Sequence, residues 1–127
     1  MSEGPLVLVA DDEPLVLEVA VAFLERAGFR VLTARDGVEA LALHARLGAE
    51  LAAVIVDWSM PGVDGEAVVR ELRRRDARLP LLVATGFGAA LKLPGDVPGP
   101  ALVVLPKPFR GSLLGETVRQ VIAGTSG

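Results

Sequence analysis

Five short apolar runs separated by stretches of helical periodicity constrain this chain more than any other feature. They are Leu6 to Ala10, Arg30 to Ala34, Ala52 to Asp57, Leu81 to Thr85 and Leu102 to Leu105. A strand that is apolar along most of its length must be buried on both faces, and such strands belong to parallel sheets covered by helices on each side. The pattern predicts an α/β fold with five parallel strands. A length of 127 residues with 51% apolar content suffices for one core, so a single domain over residues 1–127 is expected.

The intervening segments read as helices. Val16, Ala20, Phe23 and Ala27 recur at helical spacing, Glu18 and Glu25 fall opposite, and Pro14 and Gly28 mark a start and a stop. A second helix is expected to open at Asp36, with Glu39 as in a capping box, and to turn Val38, Leu41, Ala42 and Ala45 inward. His44 lies off that stripe and reads as a surface residue. A third, after Asp64-Gly65, should bury Val68, Val69 and Leu72. It should leave Glu66, Arg70, Arg73 and Arg74 on a solvated face, with Glu66 and Arg70 paired at i,i+4. The last helix should begin near Ser112 and bury Leu114, Thr117, Val118 and Val121. Between Gly88 and Pro100 the prolines leave room for at most a short helical turn near Ala89, ending before Pro94, and then a loop.

Composition narrows the chemistry. Thirteen Lys and Arg against 16 Asp and Glu give a net charge of −3, which is no footprint for general nucleic-acid or anionic-membrane binding. The absence of cysteine excludes thiolate chemistry and cysteine–zinc sites, and a lone histidine excludes multi-histidine metal centres, so any metal must be held mainly by oxygen. The longest apolar stretch, Leu15 to Leu24, is interrupted by Glu18 and is too short to span a bilayer. The N-terminus lacks the basic region of an export signal, so a cytoplasmic location is expected.

Ligands of open α/β sheets sit beyond the carboxyl ends of the strands, which makes the residues there the most informative. The first strand runs into Asp11-Asp12-Glu13, the third ends in Asp57, the fourth in Thr85, and the fifth is followed by Lys107. Taken singly, Asp11, Asp12, Asp36 and Asp57 would each be read as a helix cap or a strand end. That reading does not explain why Thr85 and Lys107 reach the same edge. Carboxylates about 4 Å apart repel by roughly 4 kcal/mol per pair at an effective dielectric near 20. An oxygen-liganding divalent ion such as Mg2+ would neutralise them, while Lys107 and Thr85 could hold phosphoryl oxygens. A carboxylate in that company is a plausible phosphoryl acceptor.

Four segments together resemble the receiver domain of bacterial two-component response regulators: Val7 to Glu13, Val54 to Gly65, Ala84-Thr85-Gly86 and Lys107-Pro108-Phe109. The resemblance spans essentially the whole chain in order. It implies a flavodoxin-like doubly wound sheet of order 2-1-3-4-5, with the helix between the fourth and fifth strands degenerate here. It implies that Asp57 accepts a phosphoryl group from the phosphohistidine of a sensor histidine kinase or phosphotransfer protein. Asp12, Asp57 and the backbone carbonyl of Ser59 would ligate Mg2+, with Asp11 acting on the metal through water. Thr85 and Lys107 would bind phosphoryl oxygens, and the Lys107–Pro108 peptide would be cis. Phosphorylation would change binding to a downstream protein.

Two departures from the family pattern bear on switching. Many receivers carry an aromatic residue three positions before the lysine, where this chain has Val104, which cannot swing as an aromatic does. The Pro/Gly-rich stretch also removes most of a helix that usually contributes to the output face. Three settings are open: a free-standing regulator, a phosphorelay intermediate and the receiver of a hybrid sensor kinase. A receiver-shaped interaction module that no longer uses phosphate is the alternative function. An aspartate-nucleophile phosphatase would need a cap and a second acid/base, which the chain is too short to supply.

Overall fold

The computed structural model describes residues 4–86, 93–100 and 102–126, and the side chains of that span up to residue 124. Their element order is β1 (Leu6–Ala10), α1 (Pro14–Arg26), β2 (Arg30–Ala34), α2 (Gly37–Leu47), a 3-10 turn (Gly48–Glu50), β3 (Leu51–Asp57), α3 (Gly65–Arg75), β4 (Leu81–Thr85), β5 (Val103–Pro106) and α4 (Gly111–Ser126). The strands form one parallel sheet of order β2-β1-β3-β4-β5, as expected. The third strand begins one residue earlier than the sequence pattern suggested, and the fifth is shifted one residue later.

Alternation along the inner strands builds two cores, one on each face of the sheet. Leu8 and Ala10 of β1, Val54 and Val56 of β3 and Val83 of β4 pack with Ala40 of α2 and Val68, Val69 and Leu72 of α3. Val7, Val9, Ala53, Ile55, Leu82 and Ala84 face the other way, against Leu17, Ala20 and Leu24 of α1 and Leu114 and Val118 of α4. Each fully buried aliphatic side chain is worth roughly 1.5–3 kcal/mol, so the central strands cannot tolerate polar interruption on either face. Their polar residues are accordingly pushed to the strand ends, which is what assembles the site.

Local chemistry sets the helix limits. Gly28, at φ 99°, takes the left-handed conformation that closes α1, with Phe29 N–H donating to the Leu24 carbonyl. Asp36 caps α2 by accepting from Glu39 N–H at 2.8 Å, while the Glu39 carboxylate reaches back to Arg35 N–H at 3.1 Å. Asp64 caps α3 by accepting from Ala67 N–H at 2.9 Å. Arg70 pairs with Glu66 at 3.0 Å as the i,i+4 spacing predicted, and also with Asp96 at 2.9 Å.

Three expectations about side-chain direction are corrected. The inner face of α2 is Gly37, Ala40 and His44, with Leu41 partly buried, whereas Val38, Ala42 and Ala45 are exposed. Gly37 must be small because a Cβ there would lie 2.6 Å from the Val63 carbonyl oxygen, and this close approach rotates the helix away from the Val38 stripe. His44 is buried, not a surface residue. Arg73 is buried rather than solvated: its guanidinium donates to the carbonyls of Leu79 at 2.6 Å, Ala77 at 3.2 Å, Pro100 at 3.3 Å and Asp76 at 3.5 Å. Arg73 thereby ties the segment before β5 to α3. Residues 93–100 contain turns and bends and no helix, while the short helical turn expected near Ala89 lies outside the described residues.

Candidate functional site: an acidic cluster at the strand ends

The site lies where β1 and β3, adjacent in the middle of the sheet, run out together. Val56 pairs with Ala10, so Asp57 and Asp11 leave the sheet side by side. Asp11 is 1% exposed and Asp57 4%, whereas Asp12 is exposed. One carboxylate oxygen from each of Asp11, Asp12 and Asp57 lies within 4.8 Å of the others.

Lys107 enters from beyond β5. Its Nζ is 2.8 Å from Asp11 Oδ2, 3.4 Å from Asp57 Oδ1 and 4.0 Å from Glu13 Oε1. The Lys107–Pro108 peptide is cis. Thr85, buried at the end of β4, accepts at its backbone carbonyl from Lys107 N–H at 2.8 Å, so the hydroxyl residue and the ammonium residue are tied together. Trp58 N–H donates to the Ala84 carbonyl at 3.0 Å, which fixes the loop after Asp57 to the same strand. Ser59 N–H donates to Asp57 Oδ1 at 3.3 Å and Glu13 N–H to Asp11 Oδ1 at 2.9 Å. The loop then turns through Gly62, at φ 74°, into α3.

Burial pushes the Asp57 carboxyl above its usual range, and the Asp11 charge pushes it further; Lys107 and the Ser59 N–H act against both. Burial pulls the Lys107 ammonium down, but its hydrogen bond to Asp11 and the charges of Asp11 and Asp57 outweigh this and raise it. Asp11, Asp12 and Asp57 against Lys107 alone leave two formal negative charges, and Glu13 at 4.0 Å from the ammonium adds to the deficit. That deficit, with oxygen donors alone around it, fits a hard divalent cation such as Mg2+ and not a softer metal.

The structure brings Asp11, Asp12, Asp57 and Lys107 into one cluster, and puts Ser59 and Thr85 on the loop and strand end that border it. What the sequence reading passed over is the apolar border. Leu15 is 74% exposed and Val19 42%, and with Val16, Pro108 and Phe109 they line a recess of about 160 Å³ whose rim includes Lys107. The available signal was their i,i+4 spacing, off the Val16–Ala20 stripe, immediately after the acidic triplet.

A parallel sheet of this order, with its polar residues gathered beyond the carboxyl ends of the central strands, defines a doubly wound α/β protein of the flavodoxin-like kind. A sequence profile of the response regulator receiver domain matches residues 7–119, and the chain belongs to that family. It is 34% identical over 125 residues to sensor kinase CckA of Brucella abortus (strain 2308), covering 96% of this chain and 13% of that protein. It is 37% identical over 120 residues to response regulator MprA of Mycobacterium sp. (strain KMS), covering 94% of this chain and 51% of the relative. The chain thus spans about half or less of these relatives' lengths. A putative response regulator from Chloroflexus aurantiacus J-10-fl superposes with a TM-score of 0.83 at 30% identity, covering 95% of this chain and 99% of that one. The receiver domain of hybrid histidine kinase CckA superposes with a TM-score of 0.76 at 29% identity, covering 92% and 98%.

Proposed function

We propose that this chain is a phosphoacceptor switch of a two-component phosphorelay, taking a phosphoryl group from a sensor kinase phosphohistidine onto Asp57. The observation that carries this reading is Lys107 Nζ poised between Asp11 and Asp57 at 2.8 and 3.4 Å beside the third carboxylate, Asp12. An Asp57 oxygen attacks phosphorus as the phosphorus–nitrogen bond of the donor breaks, and the imidazole leaves with the bonding pair. Lys107 holds a phosphoryl oxygen and offsets the charge arriving on Asp57; Thr85 donates its hydroxyl to another. Asp12, Asp57 and the Ser59 carbonyl would hold Mg2+, with Asp11 acting through water, and the ion would supply charge neutralisation at the phosphoryl group. The chain has no role as an enzyme on outside substrates; it assists its own phosphorylation and dephosphorylation.

The donor is a histidine kinase or phosphotransfer protein. The exposed Leu15 and Val19 beside Pro108 and Phe109 support a docking face for an apolar helix of that donor, next to the acceptor. Residues 1–127 act as a single domain in the cytoplasm, without direct nucleic-acid contact or membrane insertion; among the described residues no helix is long and apolar enough to cross a membrane. The match to sensor kinase CckA supports the hybrid-kinase setting, and the match to about half of MprA supports a receiver joined to further chain. One observation favours a second reading, an interaction module without phosphate: Val104 is 37% exposed on β5, where an aromatic switch would sit in many receivers.

Incubation with acetyl phosphate and Mg2+ is expected to label the wild-type chain and leave Asp57→Asn unlabelled. Equal labelling of the two would remove Asp57 as the acceptor. Absence of labelling, together with no Mg2+-dependent binding of beryllofluoride, would leave the interaction module as the reading.

A further inference from the structure

The interface between α2 and α3 contains a titratable group that phosphoryl chemistry does not use. His44, the chain's sole histidine, is 7% exposed. Arg75 crosses from α3, donating to the Leu41 carbonyl at 2.8 Å and lying 3.5 Å from His44 Nδ1. A guanidinium only donates, so a hydrogen bond from Arg75 requires Nδ1 as the acceptor and the ring proton on Nε2. Nε2 is itself buried without a hydrogen-bond partner among the described residues. It faces the 3-10 turn, where a Cβ on Gly48 would come within 3.1 Å of it. The ring is therefore held as a neutral tautomer, with a guanidinium on one side and uncharged backbone on the other.

We propose that His44 is a proton-sensitive clasp: its neutral ring lets Arg75 lock α2 to α3, and its protonation sets two cations together in that interface and loosens both helices. The charged groups facing the ring are Arg75 and Glu71 of α3 and Asp76 just past its end. Burial and the Arg75 charge hold its pKa below the usual 6.5, and the opposing charges of Asp76 and Glu71 do not overcome them. Glu71 is already engaged by Arg75 at 2.8 Å and Arg74 at 2.6 Å. The far ends of the same helices seat the acceptor loop. Gly37 of α2 abuts the Val63 carbonyl, and Gly65 of α3 abuts the backbone of Asp57 and Trp58. Opening the clasp therefore relaxes the loop that carries Asp57. The clasp stands without the phosphoacceptor reading, but its consequence for phosphorylation rests on that reading.

Having a single histidine makes the test unambiguous, because one imidazole resonance reports the group. The ring of the folded chain is expected to titrate below 6.5, the usual imidazole value. The unfolded ring takes up its proton first as pH falls. The clasp's stabilisation is thus complete above that value and lost as pH drops through the folded ring's lower midpoint. Over that window the folding constant should fall by up to about tenfold per pH unit. Urea denaturation of His44→Gln should lack this component between pH 8 and 5.5, and Arg75→Gln, which keeps the ring, should move its titration upward. A folded ring titrating at or above 6.5, or an unmoved midpoint in Arg75→Gln, would overturn the clasp. So would identical pH dependence of stability in wild type and His44→Gln. Labelling by acetyl phosphate at pH 6 and 8, normalised to His44→Gln, tests the link to the site. A labelling ratio unaffected by the substitution would overturn that link, whereas no labelling of either protein at any pH would instead sink the phosphoacceptor reading.

Discussion

Substituting Gly65 by alanine probes how closely the acceptor loop and α3 are fitted. Gly65 is buried at the start of α3, and a Cβ there would stand 2.6 Å from the Asp57 carbonyl oxygen, 2.6 Å from Trp58 Cα and 3.0 Å from the Trp58 carbonyl carbon. Atoms of this kind settle near 3.5 Å, so helix and loop must separate by roughly 0.9 Å. The neighbours are backbone, which cannot rotate aside as a flexible side chain would. Overpacking of this kind costs about 1–3 kcal/mol. For a domain of this size a loss of about 2 kcal/mol lowers Tm by roughly 6–10 °C. Because the displaced atoms belong to the acceptor and its neighbour, phosphorylation by acetyl phosphate should also slow by about tenfold or more. Melting curves and the fluorescence of Trp58, the only tryptophan, read both effects. Gly95→Ala is the control, since a Cβ there meets nothing within 4 Å and the residue is not in the left-handed region. If Gly65→Ala melted and phosphorylated like Gly95→Ala, the close fit would not constrain the loop. A destabilised Gly65→Ala phosphorylating at the wild-type rate would separate α3 packing from acceptor geometry.

Other consequences are equally direct. Arg73→Ala should lose about 2–4 kcal/mol in urea denaturation, because it strips a charged donor from carbonyls in the interior, whereas exposed Arg74→Ala should unfold close to wild type; equal effects would show that the Arg73 contacts do not hold the segment before β5. The Glu71 carboxyl is held down to about 2 by hydrogen bonds from Arg74 and Arg75. A depressed carboxyl stabilises the fold above its usual value of 4.5, and that contribution fades as pH falls toward 2. Acid titration followed by circular dichroism should therefore show a smaller stability loss over this range in Glu71→Gln than in wild type, with the difference shrinking in high salt because the group is on the surface; parallel curves would refute it.

The fold was legible because central parallel strands leave little room for ambiguity: Leu6 to Ala10 and Leu81 to Thr85 are apolar on both faces, and only strand ends could accept Asp11, Asp57 and Thr85. Helix orientation was less legible. On α2 the inward face is built from Gly37, Ala40 and His44, small or polar residues, because the Val63 backbone comes too close for anything larger at its start. Periodicity of bulky residues therefore pointed to Val38, on the wrong side. On α3 the run Arg73-Arg74-Arg75 carries one charge pattern but three environments. Arg73, directly after Leu72 and four residues beyond Val69, falls on the core side, where carbonyls of the chain beyond the helix, those of Ala77 and Leu79 among them, accept from its guanidinium. No one-dimensional pattern records those carbonyls. Leu15 and Val19 lie off the Val16–Ala20–Phe23–Ala27 stripe by which their helix was read, so two bulky apolar residues on its exposed side passed unmarked.

The pairing of β1 with β3, and of β4 with β5, has a consequence for how the protein comes into being. The three carboxylates of the pocket lie in the first half of the chain, and the ammonium that sits among them follows the last strand. A nascent chain emerging from the ribosome thus exposes its acid residues long before their counter-charge exists. The closing of the pocket waits for the final strand to dock, since only then does Lys107 reach Asp11 and Asp57. Until then the charges of Asp11 and Asp57 oppose the side-by-side meeting of the two central strands with nothing in the chain to offset them.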